Sequence, residues 1–359
     1  MPVIWLIDAY RAGEQGQVRA LVDTLGWPCE TKRLTYRKHV VLPHVLGLTS
    51  QRGITVESAA MLEPPWPDLV ISSGVRNEPV CRWIRARSGG HTRYVHVGRP
   101  WGPLASFDLV ITTPQYRVPR HPSVLNNLLT LHSVTPQRLA AARDQWGPVF
   151  EHLPRPYITV VAGGDSGPFT LGRLAATRLA KQASVLARQT GGSLLVSTSS
   201  RTSDEAIDAL QAGIDVPNYF YRWQPADPVN PYFGMLALAD RLVVTGDSIA
   251  MLSEACATGR PVQIFDLGGM RGESSVATDF RMTATLYAGL MRWCWQRLSR
   301  DITLVHRELR ASGRAFWMGE ESGAAVVPGE SDMDRAVAAV RALLPPDPAG
   351  QEPVGLRGS

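Results

Sequence analysis

The residues best suited to chemistry gather in one stretch, Asp240 to Asp266. Asp247 and Ser248 stand together there, Met251 follows, and Glu254 comes six positions after Ser248. A serine at a helix start can cap the first free N–H groups, and the remaining ones favour an anion such as a phosphate. Glu254, on the second turn of that helix, offers a carboxylate able to accept hydrogen bonds from sugar hydroxyls. The elements that must position these groups lie in the same stretch. An apolar run (Leu242 to Val244) leads into the turn Thr245-Gly246-Asp247-Ser248, an amphipathic segment ends at Thr258-Gly259, and a second apolar run spans Val262 to Phe265. That is a β-α-β crossover, which puts the turn at the carboxyl edge of a parallel sheet, where open α/β folds bind ligands.

The preceding residues repeat this grammar. A strand at Tyr157 to Val161 ends in Gly163, Gly164, Asp165, Ser166 and Gly167, a turn able to hold an anion in a nest of N–H groups. A long helix over Leu171 to Gln189 and a strand over Ser193 to Ser197 follow, and Ser200 and Arg201 then bring a hydroxyl and a guanidinium to the same edge. Pro217 to Trp223 reads as a third strand, and Pro231 to Ala239 as a short helix.

The N-terminal half opens with a strand at Val3 to Ile7, a loop from Asp8 to Gly16 and a helix from Gln17 to Leu25. Gly13 admits two readings, a close backbone approach to a ligand or a tight turn alone, because AGEQGQ is not a full GxGxxG fingerprint. Strands at Asp68 to Ile71, Tyr94 to Val97 and Asp108 to Ile111, with a helix at Glu78 to Arg87, should line one sheet edge with Ser73, Gly74, Arg76, Arg99 and Gln115. Gly13, Gln17, Ser73 and Arg99 are candidate ligand contacts on this side. Asp8, Glu14 and His96 are candidate general bases that spacing does not separate, and His96 fits a buried strand position equally.

At 359 residues the chain is long enough for two domains of about 150 residues each. HLPRP at 152–156 is the expected boundary, giving domains 1–152 and 153–330, a helix over 331–344 and a disordered tail over 345–359. A hydrophobic share of 44% and a charged share of 19% suit a soluble globular protein. A net charge of +5 suits anionic partners, but the basic residues are dispersed, so no nucleic-acid groove is expected. Cys29, Cys81, Cys256 and Cys294 form no CxxC pair, so neither a disulfide framework nor a zinc site is expected. The N-terminus lacks the pattern of a signal peptide, and no apolar run is long enough to span a bilayer, so a cytoplasmic protein is expected. Ala277 to Arg300 reads as a helix with Met282, Leu286, Leu290, Trp293 and Leu298 at apolar positions; packing within its own domain and a peripheral membrane contact both fit.

Several motifs resemble one family. Val243 to Val262 is similar to the VTxDSxSMxSEAxxTGKPV motif of the ELM1-like family, named after a plant mitochondrial fission factor. Asn230-Pro231-Tyr232 matches that family's NPY, and Ser200-Arg201-Thr202 resembles its SRRT with one arginine missing. Trp5 to Gly26 and Pro67 to Val80 resemble its N-terminal blocks. Where the family has Pro-His-Asp, this chain has Pro114-Gln115-Tyr116, so a base at that place would be lacking.

The ELM1-like family in turn resembles GT-B glycosyltransferases of the MurG type. The resemblance implies an α/β, GT-B-like fold of two doubly wound Rossmann-type domains facing each other across a cleft, with the nucleotide-sugar donor on the C-terminal domain and the acceptor on the N-terminal one. It implies that Glu254 takes the ribose and that Ser166, Asp247 and Ser248 surround the diphosphate, with no metal or other cofactor. Asp247 would repel a diphosphate unless it caps N–H groups or serves a sugar hydroxyl. The expected activity is sugar transfer to an envelope or lipid-linked acceptor. A non-catalytic adaptor recruiting protein partners at a membrane is the alternative, and a nucleotide-sugar epimerase a third reading.

Overall fold

The computed structural model describes residues 1–9, 12–37, 49–271, 277–293, 299–320 and 331–344. The chain forms two compact units, one built from residues 1–112, 118–127 and the helix after residue 330, the other from residues 113–117 and 128–329. Each is built on six strands paired in parallel. Because a parallel sheet is covered on both faces, its inner strands read as continuous apolar runs such as Ile4–Ile7 and Tyr157–Val161, all buried.

In the first unit β1 (Ile4–Ile7), α1 (Ala12–Leu25), β2 (Cys29–Lys32), α2 (Val56–Ala60), β3 (Leu69–Ser73), α3 (Glu78–Arg87), β4 (Arg93–Val97), β5 (Leu109–Thr112) and β6 (Val124–Asn126) follow in turn. Their spatial order is β2-β1-β3-β4-β5-β6, so the winding direction reverses between β1 and β3. Asn77 ties that reversal together, its Nδ2 donating to the carbonyls of Asp8 and Ser73 at 3.1 and 2.9 Å.

The second unit comprises α4 (Pro136–Phe150), β7 (Tyr157–Val161), α5 (Arg173–Thr190), β8 (Ser193–Ser197), α6 (Asp204–Ala212), β9 (Asn218–Tyr221), α7 (Tyr232–Leu238), β10 (Arg241–Thr245), α8 (Ile249–Cys256), β11 (Val262–Phe265), α9 (Met282–Trp293), α10 (Thr303–Ala311) and β12 (Phe316–Trp317). The order β12-β11-β10-β7-β8-β9 reverses between β7 and β10, so the turns after these two strands share one crevice. The terminal helix α11 (Asp332–Arg341) returns to the first unit, where Asn127 Nδ2 donates to the Asp332 carbonyl at 2.9 Å and α11 packs on α1 and β5.

Three expectations change. The break between the units precedes HLPRP, because α4 packs on α7: Trp146 and Phe150 share a cluster with Met235 and Leu238. Gly13 and Gly16 are not in a loop but in the first turns of α1, where Ala, Glu and Gln neighbours favour helix. Residues 113–117, including Gln115, join the second unit, and Gln115 is buried there, its carbonyl accepting from Asp301 N at 2.9 Å. The expected tail over 345–359 lies outside the described residues. No helix among the described residues is long and apolar enough to cross a membrane.

Candidate functional site

The turns after β7 and β10 meet through Asp247. Its buried carboxylate accepts from Gly164 N at 2.9 Å and from Thr245 Oγ1 at 2.6 Å, and it pairs with the Arg201 guanidinium at 2.8 Å. Thr245 Oγ1 in turn accepts from Gly163 N at 2.8 Å. Burial raises the pKa of Asp247, while Arg201, Thr245 and Gly164 favour the ionised form. The repulsive carboxylate therefore occupies a cap, and the Gly163 and Gly164 N–H groups expected to face an anion are already bonded inside the protein. The Gly163 carbonyl is tied too, accepting from Ser199 Oγ at 2.6 Å and from Thr202 Oγ1. Ser200 is exposed beside them.

The rest of the turn gathers cations. Arg201 donates to the Asp165 carbonyl at 3.1 Å, and Arg281 donates to the Gly167 carbonyl at 2.8 Å and pairs with the Asp165 carboxylate at 3.3 Å. Arg300 donates to Ser166 Oγ. Tyr287 of α9 closes this side: its hydroxyl accepts from Arg300 N at 2.9 Å, and a Cβ on Gly167 would sit 3.1 Å from its ring. Three guanidinium groups thus converge on one glycine turn at a switch point, a geometry suited to phosphate oxygens. Arg281 and Arg300 were not singled out from sequence. They lie 114 and 134 positions from the turn atoms they bind, and only their places at the two ends of the 277–300 helical stretch hinted at a shared role.

Behind the turn after β10, Ser248 caps α8 weakly, with Met251 N donating to its Oγ at 3.5 Å. His306 Nε2 lies 2.8 Å from the Gly246 carbonyl, so Nε2 carries the proton, and burial lowers this imidazole's pKa to about 4. Further along α8, Glu254 Oε2 accepts from Tyr232 Oη at 2.6 Å; burial raises the pKa of both groups. Asn230 Oδ1 accepts from Tyr232 N at 2.9 Å and so fixes the start of α7. The NPY and SEA segments therefore form one hydrogen-bonded unit.

In the first unit Asp8 is held by Gln15 Nε2 at 2.9 Å, Arg19 at 3.3 Å and Arg33 at 3.5 Å. Glu14 is half-buried, and Gln17 Nε2 donates to the Gly13 carbonyl along α1 at 3.1 Å. Ser73 Oγ is taken by the Val97 carbonyl at 2.7 Å, and Gly74 turns the chain with φ 84°. The Arg99 carbonyl accepts from His96 Nε2 at 3.1 Å, which leaves His96 Nδ1 as acceptor for Tyr94 Oη at 3.1 Å. His96 is fully buried, and burial lowers its pKa to about 4. It is a neutral group inside the sheet, not one presented to an acceptor. Among the described residues no three His, Cys, Asp or Glu side chains are gathered to hold a metal ion.

Comparison with known proteins places this geometry in context. The family model described as mitochondrial fission ELM1 matches residues 12–289. A mitochondrial fission protein ELM1 of Arabidopsis thaliana is 29% identical over 236 residues, which cover 59% of this chain and 55% of that protein, so the chain spans about half the length of this relative. Among solved structures, UDP-GlcNAc 2-epimerase of Methanocaldococcus jannaschii, in complex with UDP-GlcNAc and UDP, superposes with a TM-score of 0.50 at 10% identity, covering 95% of this chain and 99% of that one. MurG of Acinetobacter baumannii gives 0.45 at 12% identity, covering 95% and 100%. The fold is GT-B-like, with two doubly wound α/β units.

Proposed function

The chain belongs to the mitochondrial fission ELM1 family, and we propose that it is a nucleotide-sugar-dependent glycosyltransferase whose donor site is the second unit's switch point. The observation that carries this reading is the convergence of Arg201, Arg281 and Arg300 on the Asp165–Gly167 turn. There the donor diphosphate sits among guanidinium groups, and Glu254, oriented by Tyr232, takes the ribose. As the bond to the sugar breaks, charge grows on the leaving diphosphate, and fixed cations stabilise it without reorganising. They do so without a bound metal. The acceptor, an envelope or lipid-linked hydroxyl, needs a general base, for which Asp8 and Glu14 are the candidates once His96 is committed to the sheet interior. The protein works in the cytoplasm.

Calorimetric titration with UDP, GDP, CMP and ADP tests this. One nucleotide should bind, and R281A and R300A should each weaken it roughly tenfold or more, as expected for losing a charge-assisted hydrogen bond. Binding by no nucleotide, or unchanged affinity in both variants, would sink the reading. Unchanged affinity in E254A would remove only the ribose assignment. A second reading, the non-catalytic adaptor, draws on Gly163 and Gly164, whose N–H groups are closed off by Thr245 and Asp247; it is favoured if all four nucleotides fail. If one binds, incubating its sugar conjugates with lipid extract separates transfer from epimerisation.

A further inference from the structure

Helix α9 (Met282–Trp293) is unusual for a surface helix. Residues 282–291, MTATLYAGLM, include no charged or amide side chain. Only Ala284 among them is buried, with Tyr287 and Met291 half-buried on the same face. The outer face carries Met282, Leu286 and Leu290 at successive four-residue steps, exposed by 67, 66 and 37%. Phe280, just before the helix, is 84% exposed. The patch continues onto α5. Asp279, next to Phe280, accepts from Gly172 N, Leu174 N and Ala175 N at 3.2, 2.9 and 2.9 Å and so ties the approach to α9 to the start of α5, where Leu174 is itself 51% exposed. A group of exposed apolar side chains along one helix face marks an interaction site.

The charges around it indicate the partner. Exposed Arg173 adjoins Leu174, and Arg281, at the helix start, keeps 28% of its side chain exposed. Asp279, the neighbouring carboxylate, is spent on the three N–H groups of α5. An uncharged helical face flanked by the exposed Arg173, with Arg281 turned inward onto the glycine turn, fits an interfacial helix lying in the plane of a bilayer with the Arg173 guanidinium among anionic headgroups. We propose that the outer face of α9, with Phe280 and Leu174, docks the protein onto an anionic lipid surface. The inner face of the same helix holds the glycine turn through Tyr287, so docking sets the cation cluster close behind the headgroups. The inference does not rest on the glycosyltransferase reading, and it is tested without nucleotide.

Co-sedimentation of the full chain with phosphatidylcholine vesicles, with and without phosphatidylglycerol, provides the test. The wild type should sediment with the anionic vesicles, less so as salt rises. L286D/L290D should weaken this roughly tenfold or more, F280S several-fold and R173E several-fold, whereas V185D, at a 46% exposed position elsewhere on α5, should leave it unchanged. F280S guards against misfolding as the cause, since its ring touches little of the core, and its melting temperature should match wild type. The proposal is overturned if wild type ignores anionic vesicles, if V185D loses as much binding as L286D/L290D, or if L286D/L290D only abolishes self-association in the absence of lipid.

Discussion

Glycine serves opposite ends at positions 13 and 164. At Gly164 a Cβ would overlap the carbonyl oxygen of Arg201, which is backbone and has little room to retreat. G164A should therefore cost about 1–3 kcal/mol of stability by overpacking. At Gly13 and Gly16 nothing lies within 4 Å of an added Cβ, and both sit in α1. G13A and G16A should each stabilise by about 0.5–1 kcal/mol, since glycine only adds backbone entropy to the unfolded chain there. Urea denaturation of the three variants checks both signs, and a destabilised G13A would restore a special backbone role to that position. The same contrast shows what was legible at this scale. A glycine's need for space is a tertiary fact, and a GxxG spacing read along one line does not distinguish a nest from a helix. Asp247 was legible as a cap, because it had to avoid a neighbouring anion somehow; that its partners would be Gly164 and Arg201 depended on loops 83 and 46 positions away.

Elements carrying an apolar run or a helical period were legible and those without one were not. Tyr157–Val161, Ser193–Ser197, Val262–Phe265 and Glu78–Arg87 lie where apolar runs and helical spacing put them. The edge strands Cys29–Lys32 and Phe316–Trp317 escaped, because CETK has no apolar run and a two-residue strand has no period. Ser203 caps Asp204–Ala212, its Oγ accepting from Ala206 N at 3.3 Å, a signal that the sequence carries at that helix start. Between α3 and β4 lies a contact that no pattern announces. Glu78 is buried, accepts from Trp101 N and Gly102 N at 2.9 Å each, and stands 3.7 Å from His96. Burial raises its pKa to about 7, while burial lowers that of His96 to about 4. The native state thus holds the Glu78 proton that the unfolded chain releases above its ordinary 4.5, so this carboxyl makes stability fall as pH rises from 4.5 through 7. His96 acts with the opposite sign, its contribution rising as pH climbs from 4 through 6.5. In the wild type the two slopes oppose one another between about pH 4.5 and 6.5. H96Q should unmask a fall in stability with rising pH across that window, and E78Q a rise, each approaching about 1.4 kcal/mol per pH unit. Chemical denaturation at several pH values reads the slopes, and parallel curves for both variants and wild type would contradict these protonation states.

At the scale of the whole molecule the chain leaves its first unit at Asn127 and comes back to it with α11, which packs on α1 and β5. Ala336, Val337 and Val340 are buried on that helix, and Arg335 reaches the Asn126 carbonyl at 3.4 Å. The proposed donor site, by contrast, draws its residues from the second unit, in which one core joins β7, β8, β10 and β11 to α5 and α8. Two perturbations should therefore report in different places. Removing residues 331–359 exposes the α1 and β5 surfaces beneath α11 and should speed amide hydrogen exchange in β1, α1 and β5, while exchange in β7 and β10 keeps its wild-type rate. Saturating the protein with the nucleotide that binds, at about a hundred times its Kd, stabilises only what holds it, by up to about 2.7 kcal/mol, and should slow exchange in the turns at 163–167 and 245–248 and at the start of α9. Mass-spectrometric exchange on the full and truncated chains, each with and without nucleotide, separates the two effects. If truncation loosened the second unit as much as the first, α11 would have to support the donor site as well, and if nucleotide protected β1 and β3 in place of the β7 and β10 turns, the donor would belong on the first sheet.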